Sequence, residues 1–460
     1  MRIKKILKRV VIAIVLVFIV AFTWLAFMVF PAVSGYGSKN LCSAVYLQHR
    51  NPVDVINEDL ADFPLSLGTF TVNEKDSSVT GSVWGLAKRK TIFRKGVGCT
   101  LINDFTEEEI RKQQFLLPSK PVINADSIPW PYGDKLSDTM PGIINKEQLE
   151  NAVNNVMNET ADGKSTYTRA VLVIYDGNII AEKYAQGFDK NTVMLGWSMA
   201  KSLTAAMIGI LVKENKLSVD SPAPIASWTS TKKQKITIKN LLQQTTGLDF
   251  TEIYSRPSSV TKMLFSKGDM AAYTEALPLK HEPGTVFNYS GGNSNILSKI
   301  IRQTVGEKNY AAFPYSELFY KINAYSFLLE PDASGTYIGS SYTYATARDF
   351  ARFGLLYYNN GVWNGEQVLP GNWVKESIEP SNADKQKHYG YQFWLNGYDK
   401  IDPTKRRYPD VPEDMYFADG FGGQDIYIIP SEKLVVVRLG LHGINENKFL
   451  KEVIQSVRSQ

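Results

Sequence analysis

Hydrophobic positions along this chain fall into runs of three kinds, and each kind predicts a different element. Val10 to Phe30 is 21 residues without a charge, long enough at about 1.5 Å per residue to cross a hydrocarbon core of roughly 30 Å. Short alternating runs come next, such as Thr69-Phe70-Thr71-Val72 and Val79-Thr80-Gly81-Ser82-Val83-Trp84, and predict strands separated by turns. Ala170 to Tyr175 and Ile179 to Tyr184 flank the turn pair Asp176-Gly177, a hairpin signal. Near the other end, Ile426 to Ile429 and Leu434 to Leu439 predict two further strands, and Glu446 to Val457 a closing helix. Leu203 to Val212 is apolar nearly all round, the pattern of a helix buried in a core.

Strands at both ends with helix-rich sequence between them predict one sheet built from both termini around a helical insertion, about residues 226–380. Residues 31–135 read as a small β-containing lead-in. Pro118, Pro121, Pro129 and Pro131 separate it from a main domain at 136–460.

Charge changes the picture at one place. The 460 residues carry 51 Lys and Arg against 46 Asp and Glu, and Arg2, Lys4, Lys5, Lys8 and Arg9 account for the whole excess. The rest of the chain is neutral overall, so a pI near 8.8 gives no argument for nucleic acid. The basic segment 1–9 ahead of the apolar run predicts a cytoplasmic N-terminus, a single-pass anchor at 10–30 and an extracytoplasmic remainder. A cleavable signal peptide competes, since Ala32-Val33-Ser34 is a small-residue site; the length of the run favours an uncleaved anchor. The two cysteines, Cys42 and Cys99, follow this segment and predict a disulfide.

Ser198-Met199-Ala200-Lys201 opens the buried helical run and carries the strongest chemistry. Residues i and i+3 share a helix face, so a desolvated, neutral Lys201 can take the proton of Ser198. The bland alternative is that Ser198 caps the helix and Lys201 reaches solvent. Two similar spacings, Ser230…Lys233 and Ser259…Lys262, lie in polar surroundings or just after Pro257, where nothing would bury the lysine. Tyr289, beside Gly291 and Gly292, is the candidate proton relay. Gly420 and Phe421, before the strand at Ile426, could present a backbone N–H to a bound carbonyl, or could form only a tight turn. His49, His281, His388 and His442 show no pairwise ligand spacing, so neither metal nor cofactor is expected.

Taken in order, these segments resemble the serine β-lactamase-like superfamily, in the branch of class C β-lactamases, D,D-peptidases, some esterases and 6-aminohexanoate-dimer hydrolase. Leu241-Leu242-Gln243-Gln244-Thr245-Thr246-Gly247-Leu248, His281-Glu282-Pro283-Gly284 and Thr346-Ala347-Arg348-Asp349 add to the likeness, which covers about 140–460. The resemblance implies an α/β fold, an antiparallel sheet flanked by helices plus an all-helical domain. It implies that Ser198 is acylated, that Lys201 is the base and Tyr289 the proton shuttle, and that the N–H groups of Ser198 and Phe421 hold the oxyanion. Thr346 to Asp349 reads as a capping box.

Two departures bear on substrate. Gly291 stands where the family commonly has the Asn of Tyr-x-Asn, leaving Asn293 as the possible substitute. Ala418-Asp419-Gly420 stands where a Lys or His commonly opens the third motif, so no cation is offered there to a substrate carboxylate. The expected substrate is a small-molecule or peptide-like amide or ester that is less acidic than a penicillin. Two other readings stay open. Gly196-Trp197-Ser198-Met199-Ala200 with His442 is close to the serine–histidine pattern of α/β-hydrolases, and a membrane-tethered binding or sensor protein could keep this fold without turnover.

Overall fold

The computed structural model describes residues 2–458 as two compact units. The first comprises the described residues up to 113 together with 251–269 and 331–335. Its helix α1 (Arg2–Met28) contains most of the uncharged run, and α2 (Phe30–Tyr46) follows after Val29. One helix, described across Ile3–Tyr46, is long and apolar enough to cross a membrane. Helix α2 lies on an antiparallel sheet of β1 (Gly68–Asn73), β2 (Ser78–Val83), β3 (Leu86–Arg94) and β4 (Gly98–Leu101), ordered as numbered. Small residues allow that approach: a Cβ on Gly37 would meet the Phe70 ring at 2.0 Å, and one on Gly81 the Ser34 carbonyl at 2.5 Å. The disulfide Cys42–Cys99 ties α2 to β4, and both sulfurs belong to residues with no exposed surface.

Helix α2 is absent from the sequence reading of the lead-in. Its Gly- and Ser-rich residues lack a 3.6-residue apolar period, and the sheet selects them for size rather than hydrophobicity. The lead-in also ends earlier than expected. Residues 114–135 belong to the second unit, where Trp130 Nε1 donates to the Gly177 carbonyl at 2.8 Å and Arg352 Nε to the Pro131 carbonyl at 2.8 Å.

The second unit is organised by a six-stranded sheet. Its elements in chain order are α3 (Lys146–Met157), β5 (Ala170–Tyr175), β6 (Asn178–Tyr184), α4 (Met199–Lys213), α5 (Gly291–Val305), α6 (Ala347–Tyr358), β7 (Trp394–Leu395), β8 (Tyr416–Gly420), β9 (Gln424–Ile429), β10 (Leu434–Leu439) and α7 (Glu446–Val457). Spatial order is β7-β8-β9-β10-β5-β6, every ladder antiparallel. The predicted terminal strands therefore meet, with Ala170 opposite Leu439 and Tyr175 opposite Leu434.

Strands buried on both faces explain the unbroken apolar runs in β5 and β10. Leu172, Ile174, Val435 and Val437 join the core around α4 and α6, whereas Val171, Val173 and Val436 join the core of α3 and α7. The inserted region is not all-helical. Leu328–Leu329 and Thr343–Ala345 form a small sheet with Met194–Leu195, and Val362–Trp363 pairs with Glu366–Gln367. Strands of two or three residues are too short to leave a period in the sequence.

Candidate active site

Helix α4 is enclosed on all sides, as its composition predicts: Met199 to Leu211 are all buried. Ser198 stands at its N-terminus and makes no capping bond with its side chain, which leaves Oγ available. The residue before it, Trp197, has φ of +44°, an unusual conformation for a bulky residue and one that marks a sharp turn. Gly196 permits that turn, since a Cβ there would lie 2.8 Å from the Phe350 ring. The turn delivers the serine onto the start of a rigid, buried helix.

Lys201 is 1 % exposed, so it does not reach solvent. Its Nζ lies 2.8 Å from Ser198 Oγ and 3.1 Å from the Ser340 carbonyl. It also lies 4.8 Å from the centre of the Tyr289 ring. Serine, lysine and tyrosine, 91 residues apart from first to last in the sequence, thus meet at one point. The other two Ser-x-x-Lys spacings differ: Lys233 Nζ donates to the carbonyls of Glu275 and Leu277, and Lys262 is exposed.

Tyr289 is held by the turn that starts α5. Ser290 Oγ caps the helix by accepting from Asn293 N at 3.3 Å. Gln244, buried and at φ of +60°, accepts from Ser290 N at 3.2 Å and from Asn293 Nδ2 at 2.7 Å, while its own carbonyl accepts from Asn288 N at 2.8 Å. Asn293 is 1 % exposed, and its Oδ1 accepts from Thr246 Oγ1 at 3.1 Å. Both ends of its amide thus have protein partners, and these hold the turn on which Tyr289 sits. The Tyr289 ring packs against Tyr389 and Trp394, with centroids 5.6 and 5.1 Å apart.

Gly420 ends β8 beside the serine turn; a Cβ on it would lie 2.3 Å from the Gly196 carbonyl. The next ring, Phe421, meets Trp197 edge-on at 5.8 Å. Gly422 and Gly423 have φ of +79° and +75° and complete the turn into β9. Arg438 fixes it from below by donating to the Gly422 and Gly423 carbonyls at 2.9 and 2.7 Å.

Three supports left no signal in sequence. Ser340, whose carbonyl receives Lys201, has its N–H bound to Asn295 Oδ1 at 3.2 Å. Gln392, at φ of +58°, accepts from Ser202 Oγ through its carbonyl and from Ser294 Oγ through Oε1, both at 2.6 Å, joining α4 to α5. Arg407 lies 5.5 Å over the Trp394 ring and 3.9 Å from Glu446. A cation therefore reaches this wall from outside the three motifs, already accompanied by acids. Asp419 is one of them: burial pushes its carboxyl up to about 7, Glu446 adds to the rise, and Arg407 and Lys201 oppose it.

His442 lies beside Tyr167, ring centroids 6.2 Å apart, and the antiparallel sheet differs from the mostly parallel sheet an α/β-hydrolase would need. Among the described residues no cluster of three or more His, Cys, Asp or Glu could hold a metal.

A family model described as Beta-lactamase matches residues 153–440, more than half of the chain. The 6-aminohexanoate-dimer hydrolase of Paenarthrobacter ureafaciens is 23% identical over 302 residues, which cover 60% of this chain and 73% of that protein. A Bacillus anthracis structure provisionally described as a 6-aminohexanoate-dimer hydrolase superimposes with a TM-score of 0.53 at 23% identity, covering 63% of this chain and 78% of that one. EstCE1, a hydrolase with promiscuous acyltransferase activity, gives 0.52 at 15% identity, covering 68% and 99%.

Proposed function

The chain belongs to the Beta-lactamase family, and from that premise we propose that it is a serine hydrolase cleaving an amide or ester through an acyl-enzyme. Residues 10–30 would hold it in the membrane, with the catalytic unit on the extracytoplasmic side. The observation that carries the chemistry is the 2.8 Å separation of Lys201 Nζ from Ser198 Oγ, with the lysine buried. Burial disfavours the ammonium form, and a neutral amine at that distance takes the hydroxyl proton as Oγ attacks the substrate carbonyl.

The tetrahedral oxyanion would be held by the backbone N–H groups of Ser198 and Phe421, helped by the positive end of α4. As the intermediate collapses, Tyr289 passes its proton to the leaving amine or alcohol and takes in turn the proton that Lys201 removed from Ser198, which returns the lysine to its neutral form. Water then repeats the sequence on the ester of Ser198, releasing the acid and restoring the hydroxyl. Asn293 and Gln244 set the position of the tyrosine turn and do not touch substrate.

Around the site Asp419 and Glu446 accompany Arg407, and Ala418 offers no cation. A substrate without a carboxylate beside the scissile bond fits that balance better than a penicillin does. The likeness to a 6-aminohexanoate-dimer hydrolase supports the same choice. The test is steady-state hydrolysis of a panel of nitrophenyl esters, amino-acid anilides and nitrocefin by the purified full chain. Turnover of esters or anilides well above that of nitrocefin, lost in Ser198→Ala, is expected. Enzyme-like nitrocefin hydrolysis would overturn the substrate assignment, and no turnover of any of them would favour a binding protein.

A further inference from the structure

The first unit carries large apolar side chains that its own core does not use. Trp84 begins the turn between β2 and β3 at φ of +51° and remains 63 % exposed; Leu86 is 44 % and Phe63 79 % exposed. Trp84 touches Phe30 at the start of α2, Leu86 pairs with Val83, and Phe63 lies two residues before Leu65, which packs on the same core. Phe30, Val33 and Val83 form a small core with Leu65, Leu67 and Ala87 packed on it.

The Trp84 ring stacks on Phe22 of α1, with centroids 6.3 Å apart and planes 3° from parallel. It also meets Phe30 edge-on at 5.4 Å. Trp84 therefore stands level with the helix between Phe22 and Phe30. That is about 6 Å inside the outer end of the apolar run at 1.5 Å per residue, the depth of roughly 5–10 Å at which interfacial apolar groups bury themselves. The helix covers only a minor part of the indole. Its remaining surface shares the surroundings of Phe22 and Phe27, 44 % and 76 % exposed. Lys88 follows on β3 with its side chain exposed, and Arg89 is next; an aromatic tip followed by cations suits the boundary between acyl chains and anionic headgroups.

We propose that the β2–β3 turn, Trp84-Gly85-Leu86, is a second membrane contact that enters the outer leaflet beside α1 and fixes the orientation of the first unit on the bilayer. The proposal rests on the reading of residues 10–30 as a membrane anchor. Its occupant is lipid: no protein partner is needed to cover a surface already level with a bilayer-spanning helix.

The experiment uses the full chain in nanodiscs of phosphatidylcholine and phosphatidylglycerol, with an environment-sensitive fluorophore attached to single introduced cysteines and Cys42–Cys99 left oxidised. Leu86→Cys is compared with Val17→Cys inside the run and Lys95→Cys beyond the opposite end of β3, and Phe63→Cys serves as a second probe of the patch. Doxyl-labelled lipid is expected to quench the Val17 and Leu86 labels strongly and to leave the Lys95 label unchanged, with blue-shifted emission at Leu86. A quenched Val17 label with Leu86 and Phe63 labels as insensitive as that at Lys95 would overturn the proposal while the anchor stands. An unquenched Val17 label would remove the anchor itself, and the proposal with it.

Discussion

Lys201 is buried and lies 2.8 Å from the Ser198 hydroxyl, and the proposed mechanism uses both properties. Replacing it with alanine should lower kcat by about 10²–10⁴-fold, the usual worth of general base catalysis, with the thermal midpoint checked separately. Lys201→Arg should be equally inactive, because a guanidinium stays protonated and cannot take the serine proton. A Lys201→Arg enzyme with near-normal turnover would contradict the assignment.

Asp419 gives a test of a different kind. Its carboxyl is raised to about 7 by burial, so the folded state holds a proton that the unfolded chain has lost. The associated stability is complete below the unfolded value near 4 and disappears as pH rises through about 7. Relative to wild type, Asp419→Asn should therefore gain thermal stability between pH 5 and pH 8, most of it reached by pH 8. An equal difference at both values would show that the carboxyl titrates normally.

At this scale the sequence was informative where the chemistry is local. Ser198 and Lys201 are three residues apart, and the composition of the helix that follows implies the burial of Lys201. Gln244, Gln392 and Ser340 could not be read in the same way, because each acts through a partner that only folding brings near. Ser340 and Lys201 are 139 positions apart.

Helix α4 works as a rigid post because its packing leaves no slack. A Cβ on Gly209 would lie 2.6 Å from the Trp373 ring, which explains a glycine in the middle of a helix despite its cost in helix propensity. Gly209→Leu should destabilise the protein by about 1–3 kcal/mol through overpacking, measured as the shift in a denaturant midpoint; an unchanged midpoint would mean that Trp373 can move aside.

Helix α6 is anchored by charge. Arg352, 4 % exposed, binds Asp349 at 2.5 Å and Asp134 at 2.7 Å and donates to the carbonyls of Pro131 and Gly133. Arg352→Leu takes the guanidinium from two acids and two carbonyls, and a loss of about 3–5 kcal/mol is expected for such a broken buried pair. Thr346 was legible as the cap of α6, and its Oγ1 does accept from Asp349 N. The reciprocal half of the capping box differs: Asp349 Oδ2 accepts from Ser326 N and Oγ at 2.7 and 2.6 Å. Local pattern predicts the serviceable cap, whereas tertiary partners decide which groups use it.

At the scale of the molecule, the terminal strands were legible as members of one sheet because strands buried on both faces must be nearly all apolar, and these short runs are. The composition of the first unit was not. It takes residues 251–269 and 331–335 from within the later sequence, and no composition shift marks either segment. The disulfide closes a loop of 57 residues; loop-closure entropy for that length corresponds to about 4 kcal/mol. Reduction should lower the denaturant midpoint of the full chain, and an unchanged midpoint would mean that the reduced, unfolded first unit keeps structure of its own.

The proposed mechanism turns on one covalent bond, formed by Ser198 Oγ. Intact mass of the full chain after treatment with a fluorophosphonate tests it most directly, with wild type compared against Ser198→Ala and Lys201→Ala. A single adduct is expected on wild type, none on Ser198→Ala, and labelling slowed by orders of magnitude on Lys201→Ala. Labelling of Lys201→Ala at the wild-type rate, or no adduct on folded wild type, would contradict it.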